Sequence, residues 1–452
     1  MVSSKPEQIQ QQVTAFFKRH PVHGRLVVAF SGGCDSMVLL HTLASQYPAN
    51  KLLAVHINHN LQNESQTWEK FCHAACAGLG IEYRSISLEL GTLTSNIEEQ
   101  ARIQRYQSLS LLMSKGDALL TAHHQDDQAE TFMLQLLRGA GLKGLGAMDQ
   151  VSSFPPGKLC RPLLNFSRAQ IENYARLHQL QWIDDPSNRD GRFDRNFLRH
   201  EVIPLLESRW PAARQTIARS AENCREASAM IEEFSSHDLF DSMGAYKHTL
   251  SISKLRALPK ARQHAVIRAW VEENDFPLPD RSTTQTICSG FIDSRQDAQP
   301  LLNWSYVQLY RFDDYLYLIG ATSFDQIDTL SLSFNSLRQG KIDLPYPAGS
   351  LQVELLPGVS DEQLVDAKVS FRQPGQAVSL QNRQGSRKLK KLLQDWHVPP
   401  WMRNFVPMLY VNGQCQAIAD YALCDASPAL FQNIRWRPPA ELAWRNNLRH
   451  DD

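Results

Sequence analysis

The first part of the sequence predicts an α/β fold, a parallel sheet with helices between its strands. Three observations predict it. Strand-like apolar runs alternate with helical patterns over about the first 200 residues. A glycine pair sits where the first run gives way to a helix. Chemistry-bearing residues fall at the carboxyl ends of three runs, where parallel sheets bind ligands.

The elements follow in order. Leu26–Phe30 is a strand, Ser31 to Ser36 a glycine-rich turn, and Met37–Gln46 a helix. Then come a strand at Leu52–Asn58, a helix at Ser65–Gly78, a strand at Tyr83–Leu88, a helix at Asn96–Ser114 and a strand at Ala118–Ala122. From about Pro211 to Phe291 the pattern is mainly helical, with Ala212–Phe234 and Lys260–Asn274 as its longest helices. Tyr306–Ile319 reads as a hairpin turning at Phe312-Asp313-Asp314. Gly320–Gln339 is polar and Ser-rich, a linker with an edge strand. Ile342–Arg437 reads as α+β, with strands at Gln352–Leu356 and Met408–Val411 around a basic helical stretch, Ser386–Trp396. Asn412-Gly413 marks a hairpin turn. These readings give three domains, 1–215, 216–325 and 326–452.

Bulk properties narrow the class. At 452 residues, 42% hydrophobic and 21% charged, the chain reads as soluble and globular. Lys plus Arg equals Asp plus Glu, 47 each, so any basic surface must be local. The N-terminus has no apolar signal core and no apolar run is long enough to span a bilayer, which points to the cytoplasm and no membrane partner. None of the eight cysteines forms a C-x-x-C pair, and they read as reduced bystanders, Cys72 and Cys76 included.

Ser31-Gly32-Gly33-Cys34-Asp35-Ser36 is the most informative stretch. Adjacent glycines let the backbone approach a ligand, and free amides at a helix start favour phosphate. Ser31 and Ser36 add hydroxyl donors, and Asp35 suits a magnesium ion. The plainer reading is a tight turn with a serine cap, but five fixed positions between strand and helix outweigh it. No Lys follows the glycines as a Walker A motif requires. The stretch resembles the PP-loop, SGG-x-DS, of ATP pyrophosphatases.

A second constellation, Thr121 to Thr131, ends one strand and begins a helix. Asp126 suits the helix N-terminus as a cap. Asp127 and Glu130, three apart, share a helix face. Beside an ATP site they can hold an ammonium group and later accept its proton. His123 and His124 either contact phosphate or pack.

The whole chain resembles the tRNA(Ile)-lysidine synthetase family. The resemblance rests on SGGCDS at 31–36, VHINHNLQ at 55–62, NIEEQARIQRYQ at 96–107, AHHQDDQAETFMLQLLRG at 122–139 and RPLL at 161–164. WIDDPSNRDGRFDRNFLRHEVIPLL at 182–206 and KLKKLLQDWHVPPWMRNFVPMLY at 388–410 are the most discriminating. One departure is Asn60, where the family is expected to carry Gly. The resemblance implies an N-terminal PP-loop domain of the adenine nucleotide α-hydrolase-like kind. It implies ATP and Mg2+ as cofactors, with L-lysine and a tRNA(Ile) of anticodon CAU as partners, and is compatible with a homodimer. The implied reaction adenylates the wobble cytidine and then joins lysine to its C2. Implied catalytic residues are Asp35, Asp127, Glu130, His123 and Arg195, with Asp127 and Glu130 receiving lysine. The nucleotide falls to Ser31, Gly32, Gly33, Cys34, Asp35 and Ser36, and the metal to Asp35.

RNA contacts are expected from Arg383–Arg403, whose cations meet a single acid, Asp395, with Trp396, His397 and Trp401 interleaved. With the resemblance, Arg387, Lys388, Lys390, Lys391, Trp401 and Arg403 are tRNA candidates, as is Arg199. Composition alone favours a solvated helix face there. Arg195 and Arg199, four apart, face the cleft or the tRNA, or form an internal ion-pair network. Two rival functions are a PP-loop tRNA thiolase, against which the missing C-x-x-C pair weighs, and an RNA-binding protein with a vestigial nucleotide fold.

Overall fold

The computed structural model describes residues 5–58, 65–88, 97–184, 192–295, 300–320, 327–381, 383 and 385–444. Internal contacts divide the chain into two units, 1–230 and 231–452, and the division falls inside one long helix. No described helix is long and apolar enough to cross a membrane.

The first unit holds a six-stranded sheet. Its strands are β1 (Leu26–Ala29), β2 (Leu52–Asn58), β3 (Glu82–Ser87), β4 (Ala118–Leu120), β5 (Val151–Phe154) and β6 (Gly157–Cys160). They lie in the order β3-β2-β1-β4-β6-β5, all parallel except the edge strand β5. Side chains alternate across the central strand, as the pleat requires. Leu26 and Val28 pack into one apolar cluster with Phe30, and Val27 packs with Leu53 and Leu119 into another. Both faces are therefore apolar, the condition for a parallel sheet buried on two sides.

Helices α1 (Lys5–Arg19), α2 (Cys34–Ala44), α3 (Ser65–Gly78), α4 (Ile97–Leu111), α5 (Gln125–Leu137), α6 (Leu142–Leu145) and α7 (Arg168–Leu177) supply the layers around the sheet. Short helices α8 (Asp194–Phe197) and α9 (Ile203–Arg209) flank a π-helical turn, Leu198–Val202, before α10 (Ala213–Ser242). Helix α2 starts three residues earlier than expected, because its first turn, Cys34-Asp35-Ser36, interrupts the apolar pattern while already helical. The chain moves from β1 outward to β2 and β3, then returns to place β4 on the other side of β1. That reversal opens a crevice at the carboxyl ends of β1 and β4, the usual ligand position in such sheets.

The second unit is built on antiparallel sheets. β7 (Thr249–Ser251), β8 (Leu301–Trp304), β9 (Val307–Phe312) and β10 (Tyr315–Gly320) form one, packed with α11 (Ile252–Arg256), α12 (Lys260–Glu273) and α13 (Arg281–Ile287). β9 and β10 are the expected hairpin, with Asp313 at φ 51° in its turn. β11 (Leu330–Ser331) is an edge strand, and α14 (Phe334–Gln339) gives a helix where a linker was expected. β12 (Lys341–Asp343), β13 (Ser350–Leu355), β14 (Lys368–Ser370), β15 (Ala377–Ser379) and β16 (Ser386–Lys388) precede α15 (Leu389–Asp395). β17 (Met408–Val411), β18 (Gln414–Ile418), β19 (Ala422–Leu423) and β20 (Phe431–Arg437) complete the unit. Asn412 and Gly413, at φ 51° and 75°, make the β17–β18 turn. One apolar cluster joins Phe312, Tyr317 and Ile319 of the hairpin to Leu389, Trp401 and Trp436.

The basic stretch is not one helix. Leu389, Leu392 and Leu393 are buried at the i, i+3, i+4 spacing and set the helix start at Leu389. Arg387 and Lys388 lie before it in β16, paired with Val378 and Ala377. They therefore lie outside the helix, although Ser386–Trp396 was expected to be helical throughout.

Candidate active site

The loop after β1 carries the expected phosphate cradle. Gly32 has φ +80°, and a Cβ there would come within 2.8 Å of Cys72 Sγ and 2.9 Å of Ile183 Cδ1. Only glycine fits. Gly33 has φ −73° and acts as the N-cap of α2, so its role is backbone exposure. The Ser31 and Ser36 hydroxyls lie 3.1 Å apart, and Ser36 Oγ donates to the Gly33 carbonyl at 3.0 Å. The first helical bond of α2 runs from Met37 N to Gly33 O, which leaves the preceding amides without an intrahelical acceptor. Cys34 is buried, and burial pushes its thiol up to about 12, so it offers a backbone amide and no nucleophile.

The loop after β4 stands beside it. His124, not Asp126, caps α5: its Nδ1 accepts from Asp126 N at 3.3 Å, and Asp127 Oδ2 accepts from His124 N at 2.9 Å. The expectation that Asp126 caps this helix is corrected. Asp126 Oδ1 instead takes the Arg168 amide at 3.1 Å at the start of α7, and Oδ2 pairs with Arg214 at 2.9 Å. Because Nδ1 of His124 is an acceptor, a neutral ring carries its proton on Nε2. That nitrogen is 3.7 Å from Asp35 Oδ2 and 3.5 Å from Asp127 Oδ2. His124 thus links the two loops.

The carboxylates are partnered by arginines from later in the chain. Asp35 Oδ2 accepts from Arg168 Nη1 at 2.7 Å, while its Oδ1 is buried with no hydrogen-bond partner. Burial raises the Asp35 pKa despite the opposing pull of His124 and Arg168. Glu130 is fully buried. It takes Arg195 Nε at 2.7 Å, Arg199 Nε at 2.6 Å and Arg199 Nη2 at 2.8 Å. Asp127 Oδ1 takes Arg195 Nη2 at 3.1 Å and Arg199 Nη2 at 3.2 Å. Burial alone would raise the Asp127 pKa, but His124 and Arg195 hold it down at about 2. Asp127 stays ionised, suited to holding a cation and poorly suited to accepting a proton. Burial lowers His123 to about 4, so it is neutral at physiological pH, with Nδ1 2.8 Å from Thr121 Oγ1. It is no cationic phosphate ligand.

Asp35, Asp127, Glu130, His123 and Arg195 therefore gather at one crevice as expected, and the structure adds His124, Arg168 and Arg214. Adjacent histidines gave no sign of which one turns inward. Arg168 reads in the sequence as a partner of Glu172 four residues on, which it also is, at 2.9 Å. Arg199 is corrected: it lies in the internal ion-pair network, not on a free RNA-facing surface. Of the VHINHNLQ block, His56 is buried with Nδ1 3.0 Å from Phe30 O, while His59 and Asn60 lie outside the described residues, as does Arg189.

The RNA candidates of the second unit divide. Arg387, Lys388, Lys390 and Lys391 are exposed, and none is ion-paired with a described residue. Trp401 is corrected. It is 5% exposed, with ring centroids of Tyr310 and Tyr317 each at 4.8 Å, and cannot stack on a base. Arg403 turns Nε onto the Val398 carbonyl at 2.8 Å. All eight cysteines are free, and no described group of three His, Cys, Asp or Glu could hold a metal by itself.

Three families match successive parts of the chain. A PP-loop domain matches residues 5–206, a TilS substrate binding domain 250–317, and a TilS substrate C-terminal domain 367–440. A tRNA(Ile)-lysidine synthase of Legionella pneumophila is 39% identical over 405 residues, 89% of this chain and 92% of that protein. That of Coxiella burnetii is 35% identical over 441 residues, 95% of each chain. That of Yersinia pestis is 35% identical over 464 residues, 99% of each. Among solved structures, the U34-tRNA thiolase NcsA from Methanococcus maripaludis aligns with a TM-score of 0.42 and 20% identity. It covers 49% of this chain and 78% of its own, a likeness too loose to argue from.

Proposed function

The chain belongs to the tRNA(Ile)-lysidine synthase family, and on that premise we propose how its residues share the work. The enzyme ligates L-lysine to C2 of the wobble cytidine of tRNA(Ile) with anticodon CAU, using ATP. The product reads AUA in place of AUG and changes identity from Met to Ile. In the first step the cytidine O2 attacks the α-phosphorus of ATP; that P–O bond forms as the bond to pyrophosphate breaks. In the second the lysine ε-ammonium loses a proton, the amine so freed attacks C2, the C2–O bond breaks, and AMP leaves with the proton released to solvent.

The observation that carries the assignment of residues is the meeting of the two loops: His124 Nε2 lies within 3.7 Å of Asp35 and 3.5 Å of Asp127. Amides at the start of α2 and the hydroxyls of Ser31 and Ser36 bind phosphate oxygens. The buried, unpartnered Asp35 Oδ1 fits a divalent ion. Mg2+ commonly takes one or two carboxylates and completes its shell with substrate phosphates and water. Asp35 would hold Mg2+, which neutralises charge on the triphosphate when bound. Asp127 and Glu130 receive the lysine ammonium. Arg195 sets the position of both carboxylates, and His123 stands near enough to Asp127 to feel its charge.

The three-part division of labour is part of the proposal. Residues 1–215 carry the chemistry, and 216–325 and 326–452 hold the tRNA, through Arg387, Lys388, Lys390 and Lys391 among others. The test is to incubate the protein with ATP, Mg2+, radiolabelled lysine and a CAU-anticodon tRNA(Ile). Label in the RNA, with AMP released, is the expected result. ATP cleavage without label would overturn the reading, and sulfur incorporation would favour the thiolase.

A further inference from the structure

The carboxylates proposed to receive lysine are already occupied by guanidinium groups. All four oxygens of Asp127 and Glu130 are in use: three accept guanidinium protons from Arg195 and Arg199, and Asp127 Oδ2 accepts the His124 amide. Two carboxylates face two guanidiniums, so the local charge is balanced. Adding a lysine ammonium would leave one positive charge unmatched in a buried place. The arginine side chains are 30% and 29% exposed while that of Glu130 is 0%, which puts them between the buried acid and solvent.

The two arginines are not equivalent. Arg199 makes three of the five guanidinium bonds, so its departure frees the most acceptor capacity. It sits in the π-helical turn Leu198–Val202, an irregularity common where a backbone serves function. It also feels the charge of Asp35, in the loop that receives phosphate. A triphosphate there offers an anion to compete for it.

We infer that Arg199 occupies the lysine site of the resting enzyme, and that an anionic substrate at the phosphate loop must draw it away before lysine binds. This rests on the assignment of lysine to Asp127 and Glu130, and it gives the reaction an order: nucleotide or adenylated tRNA first, lysine second. A guanidinium drawn away in this manner is free to neutralise the phosphate that replaced its carboxylate.

The experiment is equilibrium dialysis of radiolabelled lysine against the full-length enzyme. It is done alone, with a non-hydrolysable ATP analogue and Mg2+, and with analogue plus tRNA. Lysine affinity should rise at least roughly tenfold with the anionic ligands present. In Arg199→Gln, lysine should bind the free enzyme nearly as well as the wild type binds it with nucleotide, and the dependence on nucleotide should disappear. Arg199→Lys, which keeps a cation, should retain that dependence. Equal lysine affinity in the wild type with and without the anionic ligands overturns the inference. So does an Arg199→Gln enzyme, folded by its melting curve, that still requires nucleotide. If Arg199→Gln does not fold, the wild-type comparison decides. Label transfer to tRNA in the same wild-type preparation separates this failure from failure of the functional reading.

Discussion

The two units use charge in opposite ways. At the crevice of the first unit four carboxylates each have an arginine partner: Asp35 with Arg168, Asp126 with Arg214, and Asp127 and Glu130 with Arg195 and Arg199. On β16 and α15 of the second, Arg387, Lys388, Lys390 and Lys391 stand exposed, and none is ion-paired with a described acid. There the aromatic Trp401 is inside and the cations outside. Paired charge in a crevice suits small substrates, whose binding must replace a specific partner. Unpaired exposed cations suit a long polyanion, whose binding releases counterions.

The comparison breaks first at Trp401 if it is wrong. Trp401→Ala removes a ring packed on Tyr310 and Tyr317 and should cost about 3–5 kcal/mol of stability. Denaturant unfolding measures this. Variant protein that remains folded should bind tRNA with near-normal affinity. Normal stability with weakened tRNA binding would put Trp401 on the RNA and remove the distinction between inside and outside.

Asp35→Asn tests the paired side. It keeps the shape but removes the charge beside Arg168 and the phosphate loop. Adenylation of tRNA should fall by ~10²–10³, as when a charge-stabilising group is lost at a transition state. Pyrophosphate release at saturating Mg2+ reads it, with a melting curve to confirm the fold. Turnover near wild type would remove Asp35 from the chemistry.

Much of the first unit was legible because its signals are local. A strand, a glycine pair and a helix occupy consecutive residues, and Asp127 and Glu130 share a face through three-residue spacing. What was not legible comes from distance. Arg168 reaches Asp35 across 133 residues, and Arg199 reaches Glu130 across 69. No periodicity encodes such pairs. In the second unit the misreadings have another cause. Trp401 lies between Pro400 and Arg403, and charged neighbours suggested an exposed ring. The signal that it is core was the apolar density around it: Val398, Met402, Phe405 and Val406 are all buried. Arg387 and Lys388 fell within the stretch Ser386–Trp396 read as helical, but the buried leucines start the helix only at Leu389.

The exposed side gives a smaller, graded effect. Replacing Arg387, Lys388, Lys390 and Lys391 with Ala should flatten the salt dependence of tRNA binding. The loss is about 0.7 to 0.9 of a slope unit for each phosphate contact removed. Filter binding across a salt series measures it. ATP cleavage assayed at saturating tRNA should change little. An unchanged slope would assign these cations to solvent and leave the comparison one-sided.

The smallest effect is a pH dependence that reports how closed the crevice is. Burial lowers His123 to about 4 from 6.5, although the Asp127 charge pulls the other way. The unfolded chain therefore holds more protons than the folded one between those values, and acid favours unfolding there. Stability from this group is full above about pH 6.5 and is lost as pH falls towards 4. Asp127 acts in a lower window: with its pKa held at about 2 instead of 3.8, its contribution is present above 3.8 and is lost as pH falls through 2. The two windows barely overlap, so a variant can separate them. His123→Gln should flatten the melting temperature between pH 6.5 and 4 while leaving the steeper fall below pH 4. His123 as a residue is half-buried, which dilutes the first window to an expected shift of a few degrees. The quadruple Ala variant of the exposed face should keep the wild-type profile through both windows. If His123→Gln leaves the upper slope intact, the ring is solvated and titrates freely. The carboxyl end of β4 would then be as open to water as the basic face, and the contrast between a closed crevice and an open surface would rest on the arginine pairs alone.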